Sequence, residues 1–235
     1  MGDRVKVAMV VGGGSGMGAA SARKLAAEGW SVAVMSSSGK GEALAGELGG
    51  LGFTGSNQSA EDLARFVEAA MARWGRIDAL VNGAGHGPRA PLLEISDEDW
   101  HKGFDVYFLN VVRATRLVAP VMAAQGGGSI VNISTAWIGE PSAMFPTSAV
   151  ARAGLAVYAK LFADEFAARN VRMNTVLPGW IDSLPATEER RESVPMRRYG
   201  RAGEVAELVA FLASDKSAYI TGQSLRIDGG LMRAV

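Results

Sequence analysis

Short apolar runs alternate along this chain with stretches whose apolar positions recur every three to four residues, the signature of strands alternating with helices. Val5 to Val11 is an apolar run that stops at a glycine cluster, and Gly18 to Glu28 then carries Ala20, Leu25 and Ala26 on one side. Ser31 to Met35 reads as the next strand, followed by a helix over Glu42 to Leu48 and a third, weak strand near Gly52 to Thr54. The alternation continues as helix Ala60 to Trp74, strand Ala79 to Asn82, helix Asp97 to Ala124 and strand Ser129 to Ile133. It ends with helix Ala149 to Ala168, strand Val171 to Leu177, helix Ala202 to Ala213 and strand Ser224 to Ile227. Seven short apolar strands separated by helices predict a parallel sheet covered on both faces, a three-layer α/β/α domain. Only Pro178 to Arg201 is long, irregular and charged, and it carries three prolines, which suits a lid over a ligand crevice.

Composition narrows the chemistry. At 235 residues, with no repeat, linker or low-complexity stretch, the chain reads as one domain over 1-235. The 24 basic residues balance the 24 acidic ones, so no broad field draws nucleic acid or an anionic membrane, and a small molecule is the expected partner. Cysteine is absent and the histidines are His86 and His101, which removes disulfides and thiolate chemistry and argues against a metal site. The N-terminal residues run straight into a strand, and no apolar run reaches the roughly 18 residues of a membrane span, so the expectation is a cytoplasmic, unprocessed protein.

The first glycine cluster carries a mechanism. Gly12, Gly16 and Gly18, between a strand and a helix, allow a tight turn and bring backbone N–H groups and a helix N-terminus against a pyrophosphate. Further motifs follow in order: Asn82-Gly-Ala-Gly85, Asn132-Ile-Ser-Thr135, Asn174-Thr-Val-Leu-Pro-Gly179, and Tyr219-Ile-Thr-Gly-Gln with Asp228-Gly-Gly230. Together they resemble the short-chain dehydrogenases/reductases over essentially the whole chain. The resemblance implies a doubly wound Rossmann-type sheet and NAD(P)(H) at the carboxyl ends of the strands. It also implies a homodimer or homotetramer through the two long helices, Asp97 to Ala124 and Ala149 to Ala168. For the cofactor it implies contacts from Gly12, Gly14, Ser15, Gly16, Met17 and Gly18, from Asn82, Ala84 and Gly85, and from Pro178, Gly179, Ile181 and Ser183. Ser36 stands where the family usually places a carboxylate. With Ser37, Ser38 and Lys40 after it, hydroxyls and a cation are available for a 2′-phosphate, and NADP(H) is expected over NAD(H). Ser56 or Asn57 falls near the usual adenine contact.

Against this frame, the positions for proton transfer differ from the family's Asn, Ser, Tyr and Lys. Counting without gaps gives Tyr107, Thr135, Ser148 and Arg152. Thr135 keeps a hydroxyl that can polarise a carbonyl. Ser148 is a far poorer proton donor than a phenol, and Arg152 stays protonated, although it can hydrogen-bond a ribose or an anion. Tyr107 and His86 are candidate replacement donors, with a packed aromatic and an idle loop histidine as the plain alternatives. Asn110 lies one turn beyond Tyr107 on the same face. Arg89 is a candidate to bind a substrate anion, with a solvated loop charge as the plain alternative, while Trp137, Met144 and Phe145 are expected to wall a substrate pocket and Trp180 and Asp182 to form the lid base. Three readings remain at this point: a nicotinamide-dependent oxidoreductase on a small carbonyl, enone or alcohol with a non-standard donor; non-redox elimination; and a catalytically silent nucleotide-binding subunit.

Overall fold

The computed structural model describes residues 5–83 and 85–234. Seven strands form one parallel sheet: β1 Val7–Val11, β2 Ser31–Ser36, β3 Leu51–Thr54, β4 Ala79–Asn82, β5 Gly128–Ile133, β6 Val171–Pro178 and β7 Ser224–Ile227. Their spatial order is β3-β2-β1-β4-β5-β6-β7. β1 is therefore flanked by β2 and β4, with Val10 level with Val34 on one side and Val81 on the other. Successive crossovers leave β1 in opposite directions, so a crevice opens at the carboxyl ends of β1 and β4.

The strands are continuous apolar runs because both faces are covered. α1 (Gly16–Ala27), α2 (Lys40–Glu47) and α8 (Ala202–Ala213) lie on one side, where Leu25, Leu44, Val205 and Val209 pack on Val10, Val34 and Val131. α3 (Ala60–Trp74), α5 (Asn110–Ala124) and α6 (Pro146–Phe166) lie on the other, with Leu63, Phe66, Val118 and Phe162 against Met9, Leu80 and Ile130. α4 (Asp97–Phe104) precedes α5, and α7 (Glu188–Ser193) is a short helix within the lid.

Five expectations change. α1 starts two residues earlier than Gly18, directly after Ser15, and α6 begins at Pro146 rather than Ala149, because proline is well suited to the first helical position. The helix expected over Asp97 to Ala124 is broken by a π-helical turn, Asp105–Leu109, and such bulges concentrate at functional sites. The segment Asp97–Ala124 is also long and apolar enough, at mean hydropathy 1.3, to meet the composition of a membrane span, contrary to the sequence reading; 56% of that window is buried within the domain. Finally, the lid is not wholly irregular: α7 interrupts it, and a bridge between Ile181 and Gly200 closes its two ends together.

One polar group holds the far edge of the sheet. Arg172 on β6 is largely buried and gives its Nη1 and Nη2 hydrogens to Ser217 Oγ and to the carbonyls of Leu212, Ser214 and Ile220, at 3.0–3.3 Å. Those acceptors lie at the end of α8 and on the turn that leads from it to β7. Arg172→Met should therefore lower stability by about 2 kcal/mol, because it deletes the charge-assisted bonds that tie β6 to this turn, while the carbonyls keep donors from Ser129, Ser217 and Asn174. Urea unfolding would show a shifted midpoint at unchanged slope.

Candidate active site

Two adjoining cavities occupy the crevice. The smaller, 290 Å³, lies over the ends of β1 and β2 and is lined by Gly14, Ser36, Ser37, Ser38, Ser56 and Asn57. The larger, 380 Å³, runs over β4, β5 and β6 to the lid. Gly12, Ser15, Gly85 and His86 line both, so the two are one continuous trough. Its centre is the start of α1. Ser15 caps no N–H with its side chain and the first helical turn holds no acidic residue, so the partial positive charge of this helix end meets no protein anion. Gly12 sits at φ 71°, and a Cβ on Gly18 would lie 2.4 Å from the Gly12 carbonyl oxygen. The turn can therefore fold this tightly only with glycine at both places. Helix start and trough together fit a dinucleotide pyrophosphate.

At the small-cavity end, Ser36 Oγ accepts a hydrogen bond from Gly41 N–H at 2.8 Å and keeps its own proton for a ligand. Ser37 and Ser38 are exposed, and Lys40 begins α2 beside them. Asn57 donates to the Gly83 carbonyl at 3.3 Å and steadies the glycine loop after β4.

The larger cavity brings together Thr135, Ser148, Arg152, Tyr107 and His86. Thr135 follows β5, Ser148 and Arg152 lie one turn apart in the start of α6, and Tyr107 comes from the π turn. Arg152 is 7% exposed. Its Nη1 donates to the Ile133 carbonyl at 2.8 Å, and its guanidinium carbon lies 4.6 Å from the centre of the Tyr107 ring. Burial pulls the guanidinium down to about 10, while Tyr107 opposes that shift, so the group remains a cation at neutral pH. It makes no ion pair, and its Nε has no acceptor among the described residues. The Tyr107 hydroxyl accepts from the Gly87 N–H at 2.5 Å. Thr147, beside Ser148, donates to the Pro88 carbonyl at 2.7 Å. These two bonds fix the loop that carries His86 and Arg89. Asn110 donates to Gly83 at 3.4 Å from the same direction and is absent from the cavity lining.

The lid end is aromatic. Trp137, Phe145 and Trp180 form a tilted cluster, with ring centres 4.5 Å apart for Trp137 and Trp180 and 5.6 Å for Trp137 and Phe145. Pro178, Gly179, Ile181 and Ser183 line the cavity below them, together with Met17 of α1. Asp182 caps α8 by accepting from Ala202 N–H at 2.9 Å.

Two expectations fail. The Asn82 side chain does not border the trough; it turns into the sheet, 2% exposed, and donates to Asn132 Oδ1 at 3.0 Å on the neighbouring strand. An amide at the last residue of a buried strand is more stable paired across the sheet than left dry. Met144 is half exposed and lines neither cavity, because the chain turns before α6 and only Phe145 faces inward. Ala84 lies outside the described residues, and His101 is exposed and remote. Sequence reasoning missed the Ile133 carbonyl as the anchor of Arg152 and missed Thr147 as the tie to Pro88. A backbone acceptor leaves no sequence signal, but a threonine in the first turn of α6 does.

The strand order, with a trough at the carboxyl ends of the strands, is that of a Rossmann-like α/β domain. A family profile described as Enoyl-(Acyl carrier protein) reductase matches residues 12–232. A 3-oxoacyl-[acyl-carrier-protein] reductase from Thermotoga maritima is 36% identical over 97% of this chain and 98% of its own length. One from Synechocystis sp. is 34% identical over 97% of each, and one from Staphylococcus epidermidis is 31% identical over 96% and 98%. The chain belongs to the short-chain dehydrogenase/reductase superfamily, a family of oxidoreductases.

The lid's C-terminal anchor is acid-sensitive. Arg198, at 2.7 Å, and the Arg201 N–H hold the Glu204 carboxyl down to about 2, against an ordinary value of 4.5. A depressed carboxylate stabilises in full above 4.5 and loses its contribution as pH falls through the folded value. Amide-exchange protection at Arg201 should therefore fade between pH 4.5 and about 2, and Glu204→Gln should abolish that pH dependence.

Proposed function

We propose that this chain is an NADP(H)-dependent oxidoreductase that interconverts a small carbonyl or enone with its reduced form, using Tyr107 as proton donor. The observation that carries this reading is the placing of the Tyr107 phenol in the reaction cavity with the Arg152 guanidinium over its ring. The family's pair joins a tyrosine and a lysine one helical turn apart; here Ser148 and Arg152 hold those positions on α6 and the phenol comes from the π turn. The Gly87 N–H occupies one lone pair of the phenol oxygen and leaves its proton free to be donated. As that proton leaves, charge develops on an oxygen already supplied with a hydrogen-bond donor and a nearby cation. Thr135 is placed to hydrogen-bond the substrate oxygen, and Ser148 adds a second hydroxyl. Arg152 is the group available to the nicotinamide ribose, and it cannot itself relay a proton. His86, at the junction of the two cavities, borders cofactor and substrate rather than replacing the phenol.

A bound nicotinamide supplies the hydride. Its pyrophosphate would lie on the start of α1 and its carboxamide near Ile181 and Ser183, while Ser36, Ser37, Ser38 and Lys40 would take a 2′-phosphate. The relatives are named for reducing 3-oxoacyl groups, so a 3-oxo thioester is the first carbonyl to try. Titration followed by cofactor fluorescence should show NADPH binding about tenfold tighter than NADH, the size of one charge-assisted contact; failure to bind either would end the reading. With a substrate in hand, Tyr107→Phe should lower kcat by about 10²–10⁴ and Ser148→Ala by less than about tenfold. Equal effects would remove Tyr107 as the donor.

The assembly we infer is a homodimer or homotetramer built on α6. Val150, Val157 and Leu161 share one face of that helix at 48–63% exposure, beside Phe104 of α4. A stripe of this kind on a domain with a filled core calls for a partner, and the small residues Ala153 and Gly154 permit close helix approach. Val157→Glu should convert the assembly to a smaller species, read by light scattering, with the far-ultraviolet spectrum unchanged.

A further inference from the structure

No carboxylate lines either cavity among the described residues, whereas Arg89, Arg152 and His86 do. The cations at the lid end are held by aromatic faces. The Arg89 guanidinium lies 4.7 Å from the Phe145 ring centre and that of Arg190, on α7, lies 4.4 Å from Trp180. Neither is in an ion pair among the described residues. Three acids of this region are committed elsewhere: Asp182 to Ala202 N–H, Glu188 to Arg191, and Glu140 to the backbone N–H groups of Arg233 and Ala234. A guanidinium stacked on a ring keeps its in-plane N–H groups free, and stacking restricts the side chain before any ligand arrives. Arg89 therefore presents a pre-oriented fork of donors in the same cavity as Thr135 and Tyr107, beside the wall of Trp137, Phe145 and Trp180.

We propose that the substrate carries, besides its reacting carbonyl, a compact anion such as a carboxylate, bound by Arg89, with a flat unsaturated body against the Trp137–Phe145 wall. This rests on the oxidoreductase reading for the direction in which the substrate points, but the anion site itself does not need it. In the reaction, hydride from NADPH bonds to the carbonyl carbon and a proton to its oxygen, giving the alcohol and NADP⁺. The substrate anion takes no part in that step and contributes binding and orientation.

The probes are 4-formylbenzoate and its neutral methyl ester, titrated against tryptophan fluorescence, to which Trp137 and Trp180 contribute, at neutral pH with and without NADPH. The carboxylate should bind about tenfold tighter than the ester, the gain of one charge-assisted contact. Arg89→Met should bring the two within about twofold, and Arg89→Lys should restore part of the preference. Equal binding of acid and ester, or a preference that survives Arg89→Met, overturns the proposal. Cofactor binding and oxidation are read separately from NADPH fluorescence and absorbance. If NADPH fails to bind while the carboxylate preference persists, the redox reading falls and the anion site stands. If NADPH is oxidised equally well with acid and ester at low concentration, the anion site falls and the redox reading stands.

Discussion

A guanidinium buried without a carboxylate is the constraint around which the carboxyl end of this sheet is arranged. Taking a cation out of water costs several kcal/mol unless it is repaid, and Arg152 has two sources of repayment: the Ile133 carbonyl at the end of β5 and the face of Tyr107. The ring face carries negative potential and costs little to dehydrate, so it suits a cation with no acid nearby. The ring in turn must be held beneath the guanidinium. The Gly87 N–H on its hydroxyl does this from one side and the π turn from the other. Through Thr147 and the Pro88 carbonyl the same loop is fastened back to the first turn of α6, two residues after Phe145 in the aromatic wall. One cation thus couples β5, α6, the π turn and the loop after β4 into a single rigid wall.

The trough has two ends of different character. The end over β1 and β2 is built largely from backbone: a helix start, close glycines and a loop pinned by Asn57 and Asn110. The end over β5 and β6 is built from side chains, with that rigid wall on one side and the lid, held by fewer bonds, on the other. The lid is fixed by the Ile181–Gly200 bridge, by Asp182 on α8, by the Arg198–Glu204 pair and by Arg190 on Trp180. Exposed ion pairs are individually weak, and a cation–π contact at the surface contributes only about 0.5–1 kcal/mol. Low local stability of this kind is what a segment needs if it is to open for ligand entry and close over it.

Most of the fold was legible because its two periodicities are strong. Seven apolar runs bounded by glycines and caps became the seven strands, and the helices shifted only at their ends. The π turn was not legible: a single wider turn inside a helix leaves apolar spacing nearly unchanged, so Asp97 to Ala124 reads as one helix although Asp105–Leu109 interrupts it. Asn82 was misplaced for a related reason. Motif position names the residue, but the pleat decides which way its side chain points, and here it points at Asn132. Gly12, Ser15 and Gly16 were legible because their chemistry is that of the backbone. The burial of Arg152 was not, since the compensating groups, a carbonyl and a ring from another helix, come together only in three dimensions.

On the proposed reading the donor phenol comes from the π turn rather than from α6, and that changes what the cation beside it can do. A lysine one turn from a tyrosine on the same helix places its ammonium at will, through a flexible stem, and can exchange its proton. Arg152 is fixed instead: tethered by Nη1, stacked against the ring and protonated at every working pH. On the proposed reading it serves as a permanent charge, and the proton that leaves Tyr107 must be replaced by another route. Tyr107 and Ser148 both line the cavity, so on that reading the Ser148 hydroxyl or water in the cavity is the route by which the proton is replaced. The site therefore exchanges a mobile proton carrier for a preorganised charge. That exchange favours holding an anionic ligand or a developing oxyanion over shuttling protons quickly.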